Sequence, residues 1–476
     1  MVQSKFKLFI ENFLVYGVGG IISKIIPLLM VPIMTRLMPN SSYYGISDLS
    51  TTVVSFGSAL AIMGMYDAMY RMFFEKDDDE YKKDICSTAL LFTMGTSLIV
   101  FIVMLFFRNL IARFVFGNVE YGYLVYFSAT GTLVGATNSI VSAPTRMQNK
   151  RKVFLVMNTL SPVLSYAVSI PLLLNGHYLI ALPLASVIAS ISSELIFWVL
   201  NREWFSIKRF RKEYLKPLLL IAIPLLPNFL IYWVFNSCDK LMITNILDTS
   251  ATGIYSVGSK LGHASQLIYT AFAGGWQFYA FSTMKEKNQV KSNSMIFEYL
   301  GIFSFVCSMF VFALSKTIYQ LLFTGDYVSG YIVAPYLFFA PLLQMLFQVA
   351  CNQFLVIKKT WPNMLILSAG AIINVILNLI LIPMIGIEGA AIATLIDYAA
   401  SDFICVFTLY KMKLQVIDTR FVGCCILMAA FIIVWRLVAI DNMLLSLFLS
   451  VIGSGIMVCL YRNDIGKFLK GVKKSA

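Results

Sequence analysis

Long apolar runs separated by short charged stretches recur along the whole chain. A helix crossing the roughly 30 Å hydrocarbon core of a bilayer needs about 20 mostly apolar residues. Each run therefore predicts one membrane-spanning α-helix. Fourteen spans are predicted, at residues 10–35, 43–66, 85–107, 121–143, 153–174, 178–200, 217–238, 251–283, 294–315, 330–356, 363–383, 387–409, 420–439 and 443–461. The first follows Lys5 and Lys7 but is too long for a signal-peptide core, so it reads as a span. The fold class is an all-α integral membrane protein.

The polar stretches between the runs set orientation. With the N-terminus inside, 29 of the 37 Lys and Arg residues fall in inner segments. Arg36, Arg108, Arg113, Lys240, Lys316 and Arg436 fall at outer loops or span ends. Cytoplasmic loops carry such a basic excess, so the span number is even and both termini are expected in the cytoplasm. The longest inner loop, Asn201–Lys216, spaces Trp204, Ile207, Phe210 and Tyr214 at helical intervals, with Lys208, Arg209, Arg211 and Lys212 between them. That pattern predicts an amphipathic helix on the inner leaflet. It divides residues 1–200 (spans one to six) from residues 217–410 (spans seven to twelve). Residues 411–476 add two spans and a basic tail, in which Ile465–Lys474 has a similar amphipathic character. The run Asp77–Glu80, beside Lys82 and Lys83, reads as a solvated turn rather than a metal site.

Composition points the same way. The chain is 59% hydrophobic and only 13% charged, where soluble proteins carry roughly 25% charged residues. The formal charge of +13 follows from the basic inner loops and calls for no nucleic-acid partner. Eight cysteines form no Cys-x-x-Cys pair, and His177 and His263 are the only histidines. No metal site and no cofactor is expected from that inventory.

A weak internal repeat accompanies the division. Ser42-Tyr43-Tyr44-Gly45-Ile46-Ser47 and Ser250-Ala251-Thr252-Gly253-Ile254-Tyr255 align at an offset of 208 residues. Each follows a span bearing prolines, Pro27 and Pro32 in the first and Pro224 and Pro227 in the seventh. Six spans between the copies give both halves the same orientation, the plan of transporters built from parallel repeats.

Four stretches carry a family likeness. They are Pro32–Leu37 with Tyr44–Leu49; Ile223–Pro227 with Asp239-Lys240 and Gly253–Ser256; Lys358-Lys359-Thr360; and Asn374–Asn378 continuing through Ile382-Pro383 to Gly386–Thr394. On these residues the chain resembles the polysaccharide repeat-unit flippases, of O-antigen or capsule type, within the multidrug/oligosaccharidyl-lipid/polysaccharide exporter superfamily. The likeness covers most of the chain in order, and its last stretch is the most specific. It implies two six-helix lobes in a V around a cavity, with two extra C-terminal helices. It also implies flipping of undecaprenyl-pyrophosphate-linked oligosaccharides across the bacterial inner membrane by alternating access. Membrane lipids, and a polysaccharide polymerase and chain-length proteins, are the expected neighbours.

Such a substrate needs a polar, cationic path for its pyrophosphate and sugars. Charged side chains inside a bilayer cost about 2.5–3.5 kcal/mol on insertion scales and mark function. Lys24 lies near the middle of span one, Arg36 at its outer end, and Lys260 about nine residues inside span eight; these are the candidate pyrophosphate contacts. Partnering by Asp48, Asp239 or Asp397, or snorkelling, is the competing role. His263, one turn beyond Lys260, is a candidate sugar contact or a packing residue. Glu194, Asp397 and Asp402 lie inside spans, with Asp239 at a span end, as candidate acids for coupling to an ion. In lipid II flippases, which are relatives, a sodium site resembles a cluster on spans seven, eleven and twelve. Asn374, Asn378 and Thr394 occupy the matching stretches here, with Asp239 and Asp397 as the candidate acids. Asn374 and Asn378 share one helix face, and their other role is interhelical hydrogen bonding. Sodium or a proton both stay open as the coupling ion.

Two other classes compete with this reading. A membrane polymerase or glycosyltransferase needs catalytic groups in a sizeable loop, but no outer loop exceeds roughly twenty residues and no Gly-x-x-x-x-Gly-Lys motif occurs, so no enzyme is expected. A cation-coupled multidrug exporter of the same superfamily favours acids in its cavity, against which stand the intramembrane lysines.

Overall fold

The computed structural model describes residues 23–475 except 285, 358 and 360. Residues 10–22 of span one, and Lys358 and Thr360 of the third family stretch, lie outside the described residues. The described secondary structure is helical, with no strand. In order come α1 (23–37), α2 (Ser41–Ile62), α3 (Met65–Phe73), α4 (Asp79–Phe106), α5 (Arg108–Phe116), α6 (Leu124–Met147), α7 (Arg151–Leu174), α8 (Tyr178–Asn201) and α9 (Lys212–Ala222). Then follow α10 (Leu226–Ile246), α11 (Thr249–Gly262), α12 (Gln266–Ser282), α13 (Gln289–Leu322), α14 (Ala334–Val356), α15 (Trp361–Ile385), α16 (Ile387–Lys411), α17 (Thr419–Val434) and α18 (Met443–Ser475). Side chains of 465–475, the amphipathic tail, lie outside the described set.

Twelve helices among the described residues are long and apolar enough to cross a membrane. They match predicted spans two to seven and nine to fourteen, so the chain is a multi-pass α-helical membrane protein. Span seven is not one smooth helix. Pro224 and Pro227 lack the N–H that an α-helical turn requires, and a 3₁₀ turn at Ile223–Leu225 joins α9 to α10.

Span eight is also broken, without a proline. A 3₁₀ turn at His263–Ser265 separates α11 from α12. The cause is the neighbouring helix α14. A Cβ on Gly262 would lie 2.8 Å from Leu337 Cβ, and Ser265 Oγ donates to the Phe338 carbonyl at 2.7 Å.

The inner loop 201–216 departs from expectation as well. In place of a continuous amphipathic helix, it forms short 3₁₀ turns at Arg202–Trp204 and Ile207–Arg209 before α9 starts. Side chains of α4 take the backbone donors that a helix would use. Ser206 N donates to Ser87 Oγ at 3.1 Å and Arg211 N to Thr88 Oγ1 at 3.0 Å. Trp204 and Phe205 are buried rather than laid on a lipid surface.

The acidic run Asp77–Glu80 is solvated, as expected, and it also caps and ion-pairs the start of α4. Asp78 caps α4 by accepting from Glu80 N at 3.1 Å, where acids also suit the helix dipole. Lys82 pairs with Asp77 at 2.6 Å and Arg209 with Glu80 at 2.7 Å. Hydrogen bonds from Arg209 and from Lys82 hold the Glu80 and Asp77 carboxyls below their ordinary values. The contacts therefore persist at neutral pH and weaken only as pH falls through those lowered values.

The chain groups into two compact units, Met1–Ser256 with Ile382–Gly386, and Val257–Leu381 with Ile387–Ala476. Where the sequence sets its division at 201–216, the packing divides the chain after Ser256. The first unit buries Met65, Met69, Ile85, Ile140, Trp204 and Leu218 in one core, and Ile46, Leu49, Phe116 and Leu124 in another.

The second unit is centred on α14, which is buried along most of its length. Its C-terminal helices are fastened to it at both ends. Arg436 grips Glu388 with two hydrogen bonds, at 2.5 and 2.8 Å, and Tyr336 donates to the same carboxylate at 3.0 Å. At the other end, buried Glu298 accepts from Tyr461 Oη and from Asp418 N, each at 3.0 Å. Residues 411–476 therefore group with the second unit.

Candidate functional site

The first constellation joins α2 to α10 and the start of α11, all within the first unit. Spacings of three and four put Ser41, Gly45, Asp48 and Thr52 on one face of α2. Ser250, Gly253 and Ser256 line up the same way on α11. Small residues let helix backbones approach closely inside a membrane, and here the approach is extreme. A Cβ on Gly45 would fall 2.2 Å from the Thr249 carbonyl oxygen and 2.8 Å from Gly253 N. Ser41 and Ser250 hydrogen bond through their hydroxyls.

The charged part of this junction lies one turn further on. Lys240 Nζ is 2.7 Å from Asp48 Oδ2, with both side chains largely buried. Ser256 Oγ donates to the same carboxylate at 2.8 Å. Asp239 accepts from Tyr255 Oη and from Lys240 N. Further along α2, Trp233 Nε1 of α10 donates to Ser55 Oγ at 3.1 Å, and its ring packs on Phe56 with centroids 4.6 Å apart.

This contact gives the internal repeat a physical meaning. Gly45 faces Gly253, and Asp48 is bonded to Ser256, so residues 208 apart meet across one crossing.

The second constellation lies in the second unit, between α15 and α16. Asn374 Nδ2 donates to Asp397 Oδ2 at 2.6 Å and sits 3.4 Å from Thr394 Oγ1. Asn378 Nδ2 donates to Asn374 Oδ1 at 2.9 Å. The structure thus brings these four candidates together, and none is more than 4% exposed. Asn378 Oδ1 is buried with no hydrogen-bond partner among the described residues. Asp239, grouped with them by sequence, belongs to the first unit and bonds Tyr255 and Lys240.

The cationic candidates are placed separately. Lys24 and Arg36 are exposed on α1, about 18 Å apart by helix rise. Lys260 is exposed in the last turn of α11, and His263, also exposed, stands in the break that follows.

Two residues, one paired inside the first constellation and one lining a cavity, escape a sequence reading. Lys240 looks like an ordinary basic residue flanking an outer loop, yet it is buried and paired inside α10. The signal was its place beside Asp239 within a family stretch. Arg146 is hidden among the inner-loop basic residues.

Among the described residues, twelve helices long and apolar enough to span a membrane, a broken span and buried charges on repeat-related helices define a multi-pass α-helical membrane protein. The fold is similar to that of the lipid II flippase MurJ in an inward closed conformation, with a TM-score of 0.71 at 15% identity over 95% of this chain and 100% of that one. It is also similar to an inward-facing multidrug resistance MATE family transporter, with a TM-score of 0.64 at 13% identity over 83% of this chain and 98% of that one. A mutant of the Vibrio cholerae MATE transporter VcmN gives a TM-score of 0.60 at 12% identity over 87% of this chain and 97% of that one. At such identities the likeness is one of fold. A comparison with curated protein sequences finds no match. Residues 33–332 match the model of a family described as "Polysaccharide biosynthesis protein", and the chain belongs to that family.

Proposed function

We propose that this protein flips undecaprenyl-pyrophosphate-linked polysaccharide repeat units across a bacterial inner membrane, with both termini in the cytoplasm. The observation that carries the reading is the broken span eight, with Lys260 ending its first half and His263 in the gap. Interrupted helices open polar backbone and side chains at membrane depth only where protein or water covers them, which suits a diphosphate. Lys24 and Arg36 on α1 supply further positive charge for the pyrophosphate. Family membership favours polysaccharide precursors over drugs as cargo. Polysaccharide polymerase and chain-length proteins would take up the product.

Deleting the protein is expected to accumulate unpolymerised lipid-linked repeat units inside the cell. Unchanged glycan with raised drug sensitivity would instead assign a cation-coupled exporter. Lys24→Ala and Lys260→Ala are expected to insert normally and to lower surface glycan; normal glycan in both would remove these lysines from the path.

The Asn374–Asn378–Thr394–Asp397 cluster is the proposed coupling site. Buried oxygens suit a hard cation, and the unsatisfied Asn378 Oδ1 is a ready acceptor. Asp397→Asn is expected to leave a folded protein whose flipping in proteoliposomes loses its stimulation by a sodium or proton gradient, a coupling typically worth roughly 5- to 150-fold. Full stimulation in that variant would dismiss the cluster.

A further inference from the structure

A cavity of about 330 Å³ opens in the first unit and is lined by Ile62, Tyr66, Asp67, Ser139, Arg146 and Phe229 among others. Its volume is at the lower end of the roughly 300–1,000 Å³ typical of small-ligand pockets. Ser139, Ser142 and Arg146 recur at three and four residues and share one face of α6. They stand opposite the end of α2, the start of α3 and Phe229 of α10.

Arg146 is held in a defined pose. Its Nη1 donates to Tyr66 Oη at 3.1 Å, and its guanidinium lies over the Phe154 ring, 5.5 Å from the centroid. It forms no ion pair among the described residues; Asp67 lines the same cavity but lies beyond ion-pair reach. The Nε and Nη2 edge is therefore uncommitted. That edge is the fork with which arginine grips two oxygens of a phosphate.

The remaining lining fits a sugar. Ser139 and Ser142 donate back into their own helix, Ser139 to Gly135 O at 2.9 Å and Ser142 to Ser139 O at 3.3 Å. Their oxygens keep lone pairs for hydroxyl donors. The Asp67 carboxylate is a second acceptor, and the exposed Phe229 ring offers an apolar face.

We propose that this cavity binds the phosphate-bearing sugar at the reducing end of the cargo, with Arg146 on the phosphate and Tyr66 orienting Arg146. The site rests on the flippase reading and names where the head group is first held. By the basic-loop orientation it opens on the cytoplasmic side, where such precursors are made. The reaction that founds such a cargo must transfer a sugar 1-phosphate from a nucleoside diphosphate sugar to a polyprenyl phosphate: a P–O bond forms to the carrier phosphate, the donor's pyrophosphate P–O bond breaks, and the nucleoside monophosphate leaves.

The test measures binding to the full-length protein in nanodiscs of three probes: undecaprenyl-pyrophosphoryl-N-acetylglucosamine, UDP-N-acetylglucosamine and inorganic pyrophosphate. The wild type is expected to bind the lipid-borne sugar. Arg146→Gln is expected to weaken that binding at least about tenfold, the effect of losing a charge-assisted pair. Arg146→Lys recovers part of the loss, and Lys152→Gln, a basic neighbour outside the cavity, leaves affinity unchanged. Arg146-dependent binding of UDP-N-acetylglucosamine as well upholds the site and assigns it a soluble occupant too. Pyrophosphate binding as tightly as the glycosylated probes overturns the sugar contact. Unchanged affinity in Arg146→Gln overturns the site while leaving the flippase reading intact. A wild type that binds no glycosyl diphosphate, while deletion spares surface glycan, overturns the flippase reading itself.

Discussion

Asp48→Ala is expected to destabilise the folded protein by about 3–5 kcal/mol, the range for a buried ion pair that loses one partner. The change removes both the 2.7 Å partner of Lys240 and the 2.8 Å acceptor of Ser256. Asp239 is close by but does not replace it, since Tyr255 and the Lys240 backbone already occupy its oxygens. Lys240→Ala leaves two buried carboxylates without their cation and is expected to cost at least as much. Thermal unfolding in detergent measures both. In the double variant Asp48→Ala/Lys240→Ala the Asp48 and Lys240 charges go together and Asp239 alone lacks its cation, still held by Tyr255, so the loss should be clearly smaller than the sum of the singles. Additive losses, each under about 1 kcal/mol as for exposed pairs, would show that the pair does not hold the junction.

The second large effect needs only a methyl group. In Gly253→Ala the new Cβ would stand 1.9 Å from the Ser41 carbonyl oxygen and 3.1 Å from Gly45 N. Both neighbours are backbone, so no side chain can swing aside. The first turns of α2 and α11 must part, which breaks the Ser41–Ser250 hydrogen bond and stretches Asp48–Ser256. Overpacking typically costs about 1–3 kcal/mol, and more when backbone must move. Cysteines at positions 41 and 250 report the contact directly. They are expected to cross-link readily in the parent and poorly beside Gly253→Ala. Equal cross-linking would mean that the glycine crossing is not tight.

The spans were legible because a run of apolar residues has one stable fate in a bilayer. What escaped the sequence depends on partners far away along the chain. The break at His263–Ser265 comes from α14, some seventy residues on, which presses on Gly262 and accepts from Ser265. The inner loop has the period of an amphipathic helix, yet Ser87 and Thr88 capture its backbone donors and acids of α4 capture its arginines. Asp48 and Asp239 stood out in the sequence as partners within family motifs. Their cation did not, because a count of loop charges treats Lys240 as one more flanking residue. The Asn374–Asp397 cluster was readable from the resemblance to lipid II flippases, with helical spacing putting Asn374 and Asn378 on one face. Arg146 was unreadable for the opposite reason: its distinction is an uncommitted guanidinium edge over a cavity, which only three dimensions reveal.

The fastening of α17 and α18 makes the last two helices answer for acids elsewhere. Glu298 and Glu388 sit buried in α13 and α16 and are met from the C-terminal segment, by Tyr461 and the Asp418 amide in one case and by Arg436 in the other. Removing that segment would take both of these hydrogen bonds from Glu298 and would leave Glu388 with Tyr336 but without its cation. A truncation there disturbs the interior of the second unit, not merely its edge.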